Sequence, residues 1–333
     1  MNVGSMMLSD GDALLVAIPC LNEADTIAQV VAAVPREMAG VSRVDVLVVD
    51  DGSADATADL ARAAGAIVLR HRRNRGVGAA FQSAIEFAIA KNYGIMVNID
   101  GDGQFDPADI PKLVAPIVAD AAEMVTASRF IDADLVPATM PRVKRVGNRM
   151  MSYLISKLVR RRFADVSCGF RCYGRRALLS LNLHGAFTYT QETFLDFAAK
   201  GVEILEVPIH VQYFEGRQSR VAGSIRKYAI NALKIILRGY RDYFPLRFFW
   251  GIALAFGVPG VLLGILFFGH FLVTGRFAGY LYAGFSSAFL LAMSTLFVIV
   301  GVVADMLDRI RANQERVLLM LKRESVDRTG TAR

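Results

Sequence analysis

Apolar runs of strand length alternate with helix-spaced segments through the first hundred residues, the pattern of an α/β domain with a mainly parallel sheet and helices on its faces. Ala13 to Cys20 is a β-branched run. Asn22-Glu23-Ala24-Asp25 then opens a helix over Thr26 to Val34, which Pro35 ends. Val44 to Val49 reads as a second buried strand. Ala54 to Ala64 is Ala-rich and helical with Gly65 as its cap, Ala66 to Arg70 is a short third strand, Ala79 to Ala90 a helix, and Ile95 to Ile99 a fourth strand.

Near the C-terminus the alternation stops. Phe248 to Val273 and Leu281 to Val303 carry no charged residue. As helices they reach ~39 and ~34 Å at about 1.5 Å per residue, against a hydrocarbon core of ~30 Å, which predicts two membrane spans. Arg238, Arg241 and Arg247 precede the first, Arg309, Arg311, Arg316, Lys322 and Arg323 follow the second, and the connecting loop carries Arg276 alone. Positive charge accumulates on the cytoplasmic side, so both termini and the region before residue 240 are expected there, at the cell membrane. The N-terminus, with Asp10 and Asp12 and no basic n-region, does not read as a signal peptide.

Strands of a parallel sheet deliver their ligands at their carboxyl ends, and three polar clusters fall there: Pro19 to Glu23, Asp50 to Ser53, and Asp100 to Gln104. In the third, Asp100 and Asp102 point to one side of an extended chain. Gly101 and Gly103 let the backbone turn close to a ligand, and Gln104 adds a neutral oxygen. Such donors suit Mg2+ or Mn2+ shared with substrate phosphates. Alone, Asp50-Asp51-Gly52-Ser53 reads as a turn and helix cap. Three acid-rich ends on one rim repel one another unless a cation or donor ligand joins them. In the basic loop Arg70 to Gly78, Gly76 and Gly78 at a helix start are expected to leave backbone N–H groups free for an anion. The spacing fits neither the dinucleotide fingerprint nor the Walker loop. His71 reads as one polar residue of that loop, with no catalytic role.

The composition sharpens this picture at two points. The 54% hydrophobic content and mean hydropathy of +0.38 are explained by the two spans, and the +7 charge is concentrated: between Arg142 and Arg176 stand eleven Lys/Arg against a single acid, Asp165. With spans downstream and no aromatics at stacking spacing, this patch predicts an anionic lipid surface or lipid phosphate as partner and no nucleic acid. Val143, Val146, Met150, Met151, Leu154 and Leu158 recur at helical spacing among Lys144, Arg145, Arg149 and Lys157. That is the pattern of a helix at the membrane surface, the alternative being an amphipathic helix packed on the sheet. Ile225 to Phe244 repeats it as a second interfacial helix. Cys20, Cys168 and Cys172 are few and odd in number, fit a reducing compartment, and Cys168 and Cys172 read as packing residues.

Several motifs, in order, resemble the family 2 glycosyltransferases, and among them the polyprenyl-phosphate glycosyltransferases related to dolichol-phosphate mannose synthase. They are Ile18-Pro19-Cys20-Leu21-Asn22-Glu23, Val49-Asp50-Asp51-Gly52-Ser53, Asn74-Arg75-Gly76-Val77-Gly78, Asp100-Gly101-Asp102-Gly103-Gln104, Ser128-Arg129-Phe130, Asp165 to Arg171, and Glu206-Val207-Pro208-Ile209. The resemblance covers roughly residues 13 to 245 and implies the Rossmann-like GT-A nucleotide-sugar fold. It implies that Pro19, Asn22, Glu23, Asp50 and Ser53 surround the base and ribose of a nucleotide-sugar, with Leu21, Asp51, Arg75, Gly76 and Gly101 in the wider donor site. Asp100, Asp102 and Gln104 would hold the metal on the donor diphosphate, and Glu192 would line the donor-sugar pocket or act as base toward a hydroxyl acceptor. Cys168 departs from the family's pattern, where Ser or Thr often precedes Gly169.

A lipid phosphomonoester is already ionised near neutral pH, so as acceptor it needs cations and no base. Arg129, Arg145, Arg149, Arg217 and Arg220 suit that role, the last two in a Gly/Ser/Arg loop, Phe214 to Ser224, that can close over phosphates. The expected reaction is inverting, metal-dependent transfer of a sugar from a GDP-mannose or UDP-glucose type donor to a polyprenyl or dolichyl phosphate. Alternatives are transfer to a hydroxyl acceptor, or a non-catalytic nucleotide-sugar-binding membrane protein. A processive synthase would carry Gln-x-x-Arg-Trp, whereas the one tryptophan, Trp250, lies in the first span. The expected organisation is a transferase domain over 1–221, an interfacial helix over 222–245, a two-helix hairpin over 246–307 and a basic tail over 308–333, with a homo-oligomer left open.

Overall fold

The computed structural model describes residues 13–137, 140–181, 189–212, 234, 237–242 and 244–330. They fall into two compact units, Met1–Leu233 with Leu318–Arg333, and Lys234–Val317.

In the first unit, strands β1 (Leu14–Cys20), β2 (Val44–Asp50), β3 (Ile67–Arg70) and β4 (Ile95–Asn98) form where the apolar runs predict them. Helices α1 (Ile27–Ala33), α2 (Thr57–Ala63) and α3 (Val77–Ala90) lie between them in sequence. Three further strands complete the sheet: β5 (Met124–Ser128), β6 (Arg171–Gly174) and β7 (Ile204–Pro208). The order is β3-β2-β1-β4-β6-β5-β7. All pairs are parallel except those of β6, which runs antiparallel to both β4 and β5.

Helices α4 (Ile110–Val118), α5 (Arg142–Val159), α6 (Arg175–Ser180) and α7 (Tyr189–Lys200) belong to this unit as well. Because helices cover both faces, β1 is apolar throughout rather than alternating. Leu14, Val16 and Ile18 pack with Ile27, Val30, Val48, Val97, Ile110 and Leu113 in one core. Cys168 and Cys172 are buried in that core, as their reading as packing residues requires.

The second unit contains α8 (Pro245–Thr274) and most of α9 (Leu281–Gly330), both long and apolar enough to cross a membrane. Ser287 donates to the Gly260 carbonyl at 2.7 Å and Ser294 to the Ala253 carbonyl at 2.8 Å. A Cβ at Gly257 would stand 2.8 Å from Ser294 Oγ, so small residues on α8 set how closely α9 can approach. The sequence pattern ends the second span at Val303, whereas α9 continues as one helix to Gly330. The predicted interfacial helix, Ile225 to Phe244, lies mostly outside the described residues.

Candidate active site

The register of β1 on β2 sets Cys20 opposite Asp50, so the first two polar clusters meet at one rim. Asn22 takes a left-handed φ of 53° directly beyond β1. Its N–H donates to Ser53 Oγ at 2.9 Å, and its Oδ1 accepts from Ala54 N at 2.8 Å. Glu23 N donates to Thr57 Oγ1 at 2.9 Å. Buried Asp50 accepts from Ser53 N at 2.8 Å and faces Arg70 Nε at 3.0 Å. Pro19 and Leu21 flank this seam of cross-strand bonds.

The basic loop corrects one expectation, that the Gly76 amide is free for an anion. Asp51, buried, accepts from Arg75 N at 3.0 Å and from Gly76 N at 2.7 Å, so the start of α3 is occupied by a carboxylate of the chain itself. Gly76 reaches this position with φ 92°. The Gly76 amide is therefore not left for an external anion. His71, read as one polar residue of that loop, is buried, with Nδ1 2.6 Å from Asp51 Oδ1 and Nε2 2.9 Å from Ser83 Oγ. The Arg75 side chain is exposed beside it.

At the end of β4 the third cluster joins the other two. The buried Cys20 thiol is pushed well up by burial and then by Glu23, Asp50, Asp100 and Asp102, carboxylates drawn from all three strand ends. Gly101 packs so tightly on it that a Cβ would stand 2.5 Å from Cys20 Sγ. Burial first, and then the charge of Asp102, lift Asp100 to about 7, with Arg129 and Arg171 opposing. Asp102 Oδ1 accepts from Gln104 N at 3.0 Å. A Cβ at Gly169 would lie 3.1 and 3.2 Å from the Asp100 oxygens and 3.2 Å from Tyr189 OH. Asn98 Nδ2 donates to Gly169 O at 2.9 Å.

This donor set suits a hard divalent ion. Two crowded carboxylates need a countercharge, and Gln104 follows them with its N–H on Asp102 Oδ1. Among the described residues no three His, Cys, Asp or Glu side chains converge into a cage.

Of the expected cationic residues, Arg129 is buried and gives Nε and Nη2 to Asp165 at 2.6 and 3.0 Å. Half-buried Arg145 on α5 has its Nε unpartnered among the described residues. Arg149 is exposed on the same helix, near exposed Val146, Met150 and Tyr153, while Met151 and Ile155 are buried. Helix α5 thus has a packed face and an open apolar-basic face. Glu192 lies one turn after Tyr189 on α7, on the same side of that helix. Arg217, Arg220 and their loop lie outside the described residues.

Sequence reasoning gave no role to Asp165, Gly169, Arg171, Asn98 or Tyr189. Arg171 is fully buried and holds the carbonyls of Cys168 and Val166 at 2.8 and 3.1 Å. The signal for the first three was the Asp165 to Arg171 motif, but nothing local marks Tyr189.

Comparison with known proteins gives three findings. The model of Glycosyl transferase family 2 matches residues 15–181. UDP-N-acetylglucosamine--dolichyl-phosphate N-acetylglucosaminyltransferase of Methanococcus voltae is 30% identical over 61% of this chain and 87% of its own, and polyprenol monophosphomannose synthase of Mycolicibacterium smegmatis is 27% identical over 68% and 88%. Among solved structures, glucosyl-3-phosphoglycerate synthase of Mycobacterium tuberculosis, in complex with Mn2+, UDP-glucose and phosphoglyceric acid, superposes with a TM-score of 0.54 over 68% of this chain and 80% of its own at 23% identity. This last likeness is one of fold.

Proposed function

The chain belongs to glycosyl transferase family 2, and from that premise we propose that this GT-A enzyme transfers a sugar from a nucleotide-sugar to the phosphate of a polyprenyl phosphate at the cytoplasmic membrane face, with inversion. The observation that carries the reading is the convergence of three acidic strand ends: Cys20 stands opposite Asp50, Gly101 packs on the Cys20 thiol, and Thr26 Oγ1 donates to Gly101 O at 2.7 Å. Such a rim is a setting for a nucleoside held by hydrogen bonds and a diphosphate held through a divalent cation. The names of the two transferase relatives, and two apolar helices in the same chain, support a lipid-phosphate acceptor.

In this reading Pro19, Leu21, Asn22, Glu23, Asp50 and Ser53 form the nucleoside floor, which the β1–β2 seam makes rigid. Asp51 acts behind it by fixing the Arg75-Gly76 turn. Asp100, Asp102 and Gln104 would hold Mg2+ or Mn2+, which would supply countercharge to the nucleoside diphosphate leaving group. Arg145, with an unpartnered Nε, and Arg149 face the acceptor phosphate; Arg217 and Arg220 are assigned to the same pair of anions. Arg129, committed to Asp165, acts through its fixed charge. Glu192 contacts the donor sugar. No base is required, because the acceptor phosphate is already ionised.

The test is a panel of nucleotide-sugars against a short-chain polyprenyl phosphate with Mg2+ or Mn2+, reading out both sugar and acceptor. Transfer to hydroxyl acceptors with no product on the lipid phosphate would overturn the acceptor assignment.

A further inference from the structure

The Glu206-Val207-Pro208-Ile209 stretch has no role in the reaction as described so far. We propose that Glu206 is a positioning residue for sugar transfer: it fixes the loop from Ala164 to Gly169, and through it the Asp165–Arg129 pair. The proposal rests on the transferase reading above and adds to it a residue that need not touch substrate.

The geometry is a carboxylate seated on two consecutive amides from a distant segment. Glu206 Oε2 accepts from Ala164 N at 2.8 Å and Oε1 from Asp165 N at 2.9 Å. Asp165, held in this way, takes Arg129 Nε at 2.6 Å and Nη2 at 3.0 Å, and also accepts from Ser167 N at 3.1 Å. Arg129 follows β5 directly. Glu206 lies on β7, which pairs with β5 so that Thr126 stands opposite Glu206 and Ser128 opposite Pro208. Ile209 N donates to Ser128 O at 3.2 Å. One two-strand frame therefore carries the guanidinium, while Glu206 on the same frame locates that guanidinium's partner.

Beyond Asp165 the loop is pinned by Ser152 Oγ on Val166 N at 3.2 Å and by Arg171 on two carbonyls, and it ends at Gly169 against the Asp100 carboxylate. Glu206 is the anchor at its start. A glutamine in its place keeps one carbonyl oxygen for two N–H donors and turns an NH2 toward the other, leaving that amide unsatisfied.

The experiment compares Glu206→Gln, Arg129→Lys and their double variant in the full-length protein, with Glu203→Gln as control. Glu203 precedes the same strand and pairs with exposed Arg161. Expected for Glu206→Gln is a kcat lower by about 10–100-fold, since a small misplacement of a charged group costs that much, with Mn2+–UDP or Mn2+–GDP affinity within about twofold of wild type and the melting temperature nearly unchanged. The double variant should be no slower than Arg129→Lys, because both substitutions break one linkage. Unchanged kcat in folded Glu206→Gln, losses that multiply in the double variant, or an equal kcat loss in Glu203→Gln would each overturn the assignment. If wild type uses another acceptor, the acceptor reading fails, while the same cycle on that acceptor still decides the role of Glu206.

Discussion

At the scale of single residues, Asp102 and Asp100 make different predictions. Asp102→Ala should lower sugar transfer by about 100-fold or more and abolish the rise in melting temperature that Mn2+ gives wild type; a variant retaining full rate would remove the metal from this position. Asp100 is held at about 7 by burial and Asp102. Between roughly pH 4 and 7 the folded chain therefore keeps a proton that the unfolded chain has released, and stability falls as pH rises through that window. In the metal-free protein, Asp100→Asn should then stabilise by roughly 1–3 kcal/mol at pH 8 and by nothing near pH 4, read by thermal melts in detergent. Gly169→Ala should slow turnover about tenfold with little loss of stability, because the added methyl meets the Asp100 oxygens rather than backbone. The paired carboxylates were legible from sequence because five consecutive residues carry them. Tyr189 was not, since α7 brings it beside Gly169 from a segment tens of residues away, and Asn98, though only two residues before Asp100, reads locally as the end of an apolar strand.

Among the elements, α3 is the one whose role changed. Its start was legible from Gly76 and Gly78, but the ligand at that start was not, because Asp51 is 25 residues from Gly76 in sequence and reads locally as a turn residue. Asp51→Ala strips the acceptor from Arg75 N and from buried His71 and leaves Gly76 N with Asn74 Oδ1 alone. It should cost about 3 kcal/mol and raise amide exchange in the first turn of α3, whereas an effect on activity alone, without loss of protection, would contradict the bonding described. The first four strands were legible as apolar runs bounded by turn residues, β3 and β4 with only four residues each. The last three were not read as strands: Thr126 and Ser128 in β5, Arg171 and Gly174 in β6, and Glu206 and Pro208 in β7 interrupt the apolar pattern. Helix α5 was legible as amphipathic; that it packs Met151 and Ile155 inward while exposing Val146, Met150 and Tyr153 required the fold.

For the whole molecule, the charge asymmetry around α8 and α9 predicts that their connecting loop lies outside. All three native cysteines are buried and their thiols are pushed up. A single Arg276→Cys change should therefore react with a membrane-impermeant maleimide on intact cells, without removal of native cysteines; labelling only after lysis would reverse the orientation. The carboxylate of Asp51 on the α3 amides has a consequence at this scale too. In sheets that bind dinucleotides, a helix start after a strand is where the ligand's pyrophosphate finds its countercharge. Here the polypeptide carries its own tenant on the Gly76 amide, so under the proposed function a donor diphosphate draws its countercharge from elsewhere, from a cation at Asp100 and Asp102 and from arginines. Chelation should accordingly weaken donor binding itself rather than merely slow a bound donor.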